Sequence, residues 1–148
     1  MTQRTVAIAL KIPDNTAYTA LTTLRRLGLT VDRVDRSEIW DLEDSGDGTT
    51  LAQRVAANAT IFNPNKHRLE LRDRRAPEEG EAWISEAGQH DEIREHLGGT
   101  GIAGVTHAAR SVGWRLYSVG GAPVDRPTLV RAVEELLRNP AIEKARYE

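Results

Sequence analysis

Apolar residues along this chain switch between strand-like and helix-like spacing, and each switch falls at a turn signal. Thr5 to Ile12 is an apolar, β-prone run closed by Pro13 and Asp14, which predicts a strand. Ala17, Leu21, Leu24 and Gly28 then recur at i, i+4, i+7 and i+11, with Ala20 and Leu27 beside them. That stripe predicts a helix capped by Asp14 or Asn15, with Gly28 in the left-handed position just past its end. Val31 to Asp35 and Ile39 to Glu43 predict two further strands. The connection between them, Arg36-Ser37-Glu38, is short, so they are expected to pair as antiparallel neighbours. Asp44-Ser45-Gly46-Asp47-Gly48 has the composition of a loop. Leu51, Val55, Ala59 and Phe62 predict a second helix, stopped at Asn63-Pro64 because the residue before proline is pushed out of helical geometry. His67 to Asp73 completes the series as a strand with Leu69 and Leu71 on one face.

The second half repeats this order. Glu81 to Ala87 predicts a strand containing Trp83, His90 to Leu97 a short helix, and Gly98 to Gly104 a turn. Val105 to Ala109 and Trp114 to Val119 are the expected middle strands. Asp125 is placed to cap a helix with the stripe Leu129, Val133, Leu136 and Leu137. Asn139-Pro140 ends that helix, and Ile142 to Tyr147 is the last strand. Two short motifs mark the repetition. Arg-Ser-x-x-Trp-x-Leu occurs at 36–42 and 110–116, 74 residues apart, and Asn-Pro occurs at 63 and 139, 76 apart. Each half therefore reads β-α-β-β-α-β, a ferredoxin-like order. The expected fold is α+β: two tandem ferredoxin-like units, 1–74 and 81–148, joined by a charged linker at 75–80 that contains Pro77.

Chain length bears on how the repeats combine. A lone half would bury too little surface to be comfortably stable, whereas 148 residues support a sizeable core. The halves are thus expected to share a core or pair their sheets, as a pseudo-dimer. The net charge of −2 lies too near neutral for a general nucleic-acid or membrane-surface binder. The absence of cysteine excludes disulfides, Cys-based zinc sites and thiol catalysis. The short apolar start, interrupted by Lys11, suits a strand better than a signal peptide, and no run approaches the ~20 apolar residues of a membrane helix. A soluble, cytoplasmic protein is expected.

Candidate chemistry is sparse. Gly99-x-Gly101-x-x-Gly104 spells a dinucleotide fingerprint, but that motif needs a strand before it and a helix after it, and the predicted order here is the reverse. The repeat aligns it with Leu27-Gly28-Leu29, an ordinary helix-to-strand turn. Glu92 and His96 stand at i, i+4, which gives two ligands where a metal site needs more. Asp41, Glu43, Asp44 and Asp47 cluster without the spacing of a calcium loop, and acids in loops are ordinarily just solvated. No Ser-His-Asp arrangement and no lysine-bearing phosphate loop is present. No catalytic residue, cofactor site or metal site is expected. The residues with most to offer are those of the repeated motif. Trp40 and Trp114 fit a sheet-face core, or an interface between repeats or subunits, where Trp is enriched. Arg36 and Arg110 fit carboxylate partners or plain solvation.

Leu136-Leu137-Arg138-Asn139-Pro140-Ala141-Ile142-Glu143 and the residues after it closely resemble the C-terminal signature of the PurS subunit of phosphoribosylformylglycinamidine synthase. Val31-x-x-Val34-x-Arg36 and Leu24-x-x-Leu27-Gly28 resemble that family's middle segment and its helix-to-turn junction. The family's usual Arg-x-Gly-Lys reads Arg36-Ser37-Glu38-Ile39 here, and Arg110-Ser111-Val112-Gly113 in the second copy. Two repeats in one chain resemble the N-terminal domain of the single-chain form of the synthase. The resemblance implies a non-catalytic accessory subunit of an ATP-dependent amidotransferase in purine synthesis. Its implied partners are the large amidotransferase subunit and the glutaminase subunit, with a homodimer as a further possibility and no nucleic acid or membrane. Two rival readings stand beside it. One is a diverged module that kept the plait and binds a small ligand or another protein. The other is an enzyme in its own right, which would require a pocket of convergent titratable groups.

Overall fold

A computed structural model describes residues 2–86 and 101–148, and among these residues three α-helices and six strands form from these patterns. In chain order they are β1 (Thr2–Leu10), α1 (Asn15–Arg26), β2 (Arg33–Asp44), α2 (Leu51–Ala56), β3 (His67–Arg72), β4 (Glu81–Glu86), β5 (Val105–Tyr117), α3 (Arg126–Ala132) and β6 (Glu143–Tyr147). The fold is α+β, with one antiparallel sheet ordered β3-β1-β2-β5-β4-β6. The expected helix at 90–97, with Glu92 and His96, lies outside the described residues.

The main departure from the sequence expectation is at the repeated motif. The two strands predicted on either side of Arg36-Ser37-Glu38 are one strand, β2, and those around Arg110 to Gly113 are likewise one strand, β5. A tight hairpin requires positive φ in its loop, usually at Gly, Asn or Asp. Ser37 and Glu38 offer neither glycine nor asparagine, and no described residue other than glycine adopts positive φ. With no turn chemistry, extended backbone continues through the motif.

Two compact units result, and neither coincides with a sequence half. The first comprises Met1–Ile12, Glu38–Arg75 and Gly88–Ser111; the second comprises Pro13–Ser37, Ala76–Ala87 and Val112–Glu148. Both boundaries within strands fall immediately after the serine of the Arg-Ser-x-x-Trp-x-Leu motif, at Ser37 and at Ser111. The first half gives α1 and the start of β2 to the second unit, and the second half gives the start of β5 to the first. The linker also divides. Its end belongs to the second unit, where Pro77 and Gly80 are buried and the Gly80 carbonyl accepts from the Leu116 amide.

Each unit has its own core. The first packs Val6, Ile8, Trp40, Leu42, Leu51 and Val55 with Ile102, Val105 and Ala108. The second packs Ala17, Ala20, Leu24, Leu29, Val31 and Val34 with Ala82, Ile84, Trp114, Leu116, Leu129, Val133 and Leu137. Full burial of a side chain such as Leu24 stabilises the fold by roughly 1.5–3 kcal/mol.

Local rules account for the helices. Asp14 caps α1, accepting from the amides of Thr16 and Ala17 at 3.0 and 3.1 Å. Asp125 caps α3 through the Thr128 amide at 2.8 Å, with Pro127 in the first turn. The predicted second helix ends well before Asn63-Pro64, at Ala56. The Asn58 side chain accepts from the Thr60 amide, and its carbonyl accepts from the Ile61 and Phe62 amides, so a turn replaces the next helical turn. The Asn-Pro turns are equivalent in both halves. The Asn63 and Asn139 side chains accept from the amides of Asn65 and Ala141. Their backbone amides donate to the residue four positions on, His67 Nδ1 and Glu143 Oε1.

Candidate functional site

β5 alternates its side chains, so Val112, Trp114 and Leu116 turn toward the helices of the second unit. Trp114 is buried, and its indole forms the floor of a concavity of about 430 Å³. One wall is α1, which presents Asn15, Thr16, Thr19, Ala20 and Thr23 at helical spacing. The other wall is Leu136 and Leu137. These two leucines lie in a π turn, Val133–Leu137, that follows α3 and closes with the Arg138 amide donating to the Val133 carbonyl at 3.1 Å. The wider turn accommodates one more residue than an α-turn, so neighbouring leucines line the same wall although only Leu137 is buried. The volume falls within the range of small-molecule sites.

A charge pair adjoins this floor. Arg36 donates to both oxygens of Asp14, Nε to Oδ2 at 3.0 Å and an Nη to Oδ1 at 3.3 Å. Its guanidinium carbon stands 5.9 Å from the centre of the Trp114 ring, a cation–π distance. Partial burial pushes the Asp14 carboxyl up, but the Arg36 hydrogen bond and the Ala17 and Thr16 amides outweigh it, and the group is held below the usual carboxylate range.

The four motif residues are therefore distributed crosswise. Arg36, from the first copy, meets Trp114, from the second, in one unit. Trp40 belongs to the core of the other unit, where its indole nitrogen is buried without a hydrogen-bond partner. Arg110, in that same unit, lies 3.6 Å from the Glu38 carboxylate. Trp40 thus packs in a core, and Trp114 combines core packing with an accessible concavity.

The acidic cluster has structural occupations. Asp41 accepts from the Thr5 hydroxyl at 2.8 Å, and Asp47 caps the short turn that precedes α2. Asp44 is held bidentately by Arg54, and Glu43 lies 3.8 Å from His107 Nε2. Gly101 and Gly104 both have positive φ, and the Gly104 carbonyl accepts from the amide and hydroxyl of Ser45. That glycine turn leads into strand β5, as expected, and packs on the Arg54–Asp44 pair. Among the described residues no three His, Cys, Asp or Glu side chains converge as a metal site, and no helix is long and apolar enough to cross a membrane. His67 is occupied in the Asn63 turn, and His90 and His96 lie outside the described residues.

Sequence reasoning missed the concavity. The helix was read from its apolar stripe alone, and Thr16, Thr19 and Thr23, which lie off that stripe, line the concavity. Nothing local ties Asp14 to Arg36, 22 residues away. No protein-family model matches this sequence, and no curated protein matches it.

Proposed function

We propose that this chain is a non-catalytic, PurS-like accessory subunit of phosphoribosylformylglycinamidine synthase. In this reading it is a fused pair of ferredoxin-like plaits that replaces a dimer of single repeats and associates with the amidotransferase and glutaminase subunits. The observation that carries the reading is the crosswise assembly. Each compact unit combines segments of both repeats, with the exchange point at the same serine of the same motif. Two separate single-repeat chains exchanging these segments would require a dimer, and tandem fusion makes that association intramolecular. Function would then reside in the assembled surface, in keeping with the motif-level resemblance at Leu136 to Glu148. The test is co-purification with the large and glutaminase subunits, with and without glutamine and ADP. Absence of a complex, together with unimpaired purine prototrophy on deletion, would refute it.

One observation favours a second reading, a diverged module that binds a small molecule: the concavity over Trp114. A thermal-shift screen with nucleotides and amino acids addresses it, because a ligand of the folded state raises the midpoint by mass action.

A further inference from the structure

The concavity over Trp114 is more specific than a gap between helices. All eight residues that line it are uncharged: Asn15, Thr16, Thr19, Ala20 and Thr23 on α1, Leu136 and Leu137 on the π turn, and Trp114 beneath. The adjoining Arg36 spans both oxygens of Asp14, and neither residue lines the concavity. Asp14 also occupies the Thr16 and Ala17 amides, so the start of α1 is not open to an anion. An ionised ligand would lose hydration here and gain no counter-charge.

Polar capacity nevertheless remains on one rim. Thr23 donates its hydroxyl to the Thr19 carbonyl, which leaves Thr23 Oγ1 as an acceptor. Thr16 and Thr19 are exposed along the same wall, and Asn15 adds a carboxamide at its end. The opposite wall is aliphatic, and buried Trp114 contributes an aromatic side chain to the lining. A planar molecule with an aromatic face and one hydrogen-bonding edge matches all three surfaces.

From this we infer that the second compact unit binds a small, uncharged, planar heteroaromatic molecule, with its ring over Trp114 and its polar edge toward Thr16 and Thr19. The inference rests on the second reading above and names its ligand class.

The test is a titration of the full-length, isotopically labelled protein, followed by amide and indole N–H resonances. 4-Quinazolinone serves as the neutral probe. Quinoline-4-carboxylate and cyclohexanol serve as the charged and non-aromatic comparators. The expected result is a saturable shift of the Trp114 indole and the Thr16 and Thr19 amides with 4-quinazolinone, and binding at least about tenfold weaker for both comparators. Thr19→Phe, which fills the concavity from an exposed position, and Leu136→Glu, which places a charge in its wall, should each weaken binding by about tenfold or more. Stronger binding of the carboxylate at the same resonances overturns the ligand class and leaves the small-molecule reading standing. If neither 4-quinazolinone nor any nucleotide or amino acid shifts Trp114, both fall. Unchanged affinity in both variants also overturns the inference.

Discussion

Arg54 holds Asp44 through both carboxylate oxygens, each contact 2.9 Å long, and the Asp44 side chain is 1% exposed. The same guanidinium donates to the carbonyls of Ala103 and Asp47, and its Nε donates to Thr50. One side chain thus ties the loop after β2 to the glycine turn before β5. Replacing it leaves a buried carboxylate with the Gly46 amide but without its bidentate cation, and takes one donor from each of the Ala103 and Asp47 carbonyls. Arg54→Ala should destabilise the fold by about 3–5 kcal/mol in urea unfolding. Arg54→Lys should recover only part of this, because an ammonium cannot span both oxygens. A loss below about 1 kcal/mol for Arg54→Ala would contradict the assignment of this pair as structural.

Acid sensitivity follows from the same group. Arg54 lowers the Asp44 carboxyl below its usual range despite opposing burial, and Asp14 is lowered as well. A depressed native value means that the stabilisation is fully present above the unfolded-state value of about 3.9 and is lost as pH falls through the native value. Stability should therefore be nearly flat from about pH 7 to 5 and decline steeply below about 4. Asp44→Asn should be less stable than the parent at pH 7 and show a shallower acid decline. Equal slopes for the two proteins would show that Asp44 does not contribute to it.

Two glycines separate backbone strain from crowding. Gly28 has φ +88° with nothing within 4 Å of where an added methyl would sit, whereas at Gly80, φ +75°, that methyl would lie 2.8 Å from Pro123 Cβ and 2.9 Å from the Leu116 carbonyl. Gly28→Ala should cost about 1–2 kcal/mol from left-handed strain alone. Gly80→Ala should cost clearly more, because the adjoining backbone must also move. Thermal midpoints of the two variants check this, and equal shifts would mean that the Pro123 contact relaxes freely.

How much was legible in the sequence depended on range. The caps at Asp14 and Asp125 and the turn at Gly28 each follow from a few adjacent residues and formed as expected. Of the predicted stripe Ala17, Leu21, Leu24 and Gly28, with Ala20 and Leu27 beside it, Ala17, Ala20 and Leu24 are buried, Leu21 is partly buried and Leu27 is exposed. The motif at Arg36 to Leu42 was recognisable as a repeat, but its role was inverted: a predicted turn is the middle of a strand. Short spacing between two apolar runs fits a hairpin or one continuous strand, and only the absence of turn residues separates them. The concavity was not legible, because its walls come from positions more than 110 residues apart, such as Thr19 and Leu136. Its π turn also departs from the regular helical period on which the reading of Leu136 depended.

The crosswise assembly makes a prediction about the separated repeats. Cutting between residues 74 and 75 removes Ala17, Ala20, Leu24, Leu29, Val31 and Val34 from the core of the second unit, and Ile102, Val105 and Ala108 from the first. Neither fragment retains a complete core, and a half-length chain is marginal even with one. Each fragment alone should lack a cooperative urea transition as a monomer. Mixed in equal amounts, the two should regain the circular dichroism of the intact chain and co-elute as a heterodimer, because the missing core residues of each are carried by the other. The intact chain should be more stable than the mixture, by an amount that shrinks as fragment concentration rises, since the linker supplies an effective concentration. Cooperative unfolding of fragment 1–74 as a monomer would show that the exchanged segments are dispensable and that the sequence repeat is also the folding unit.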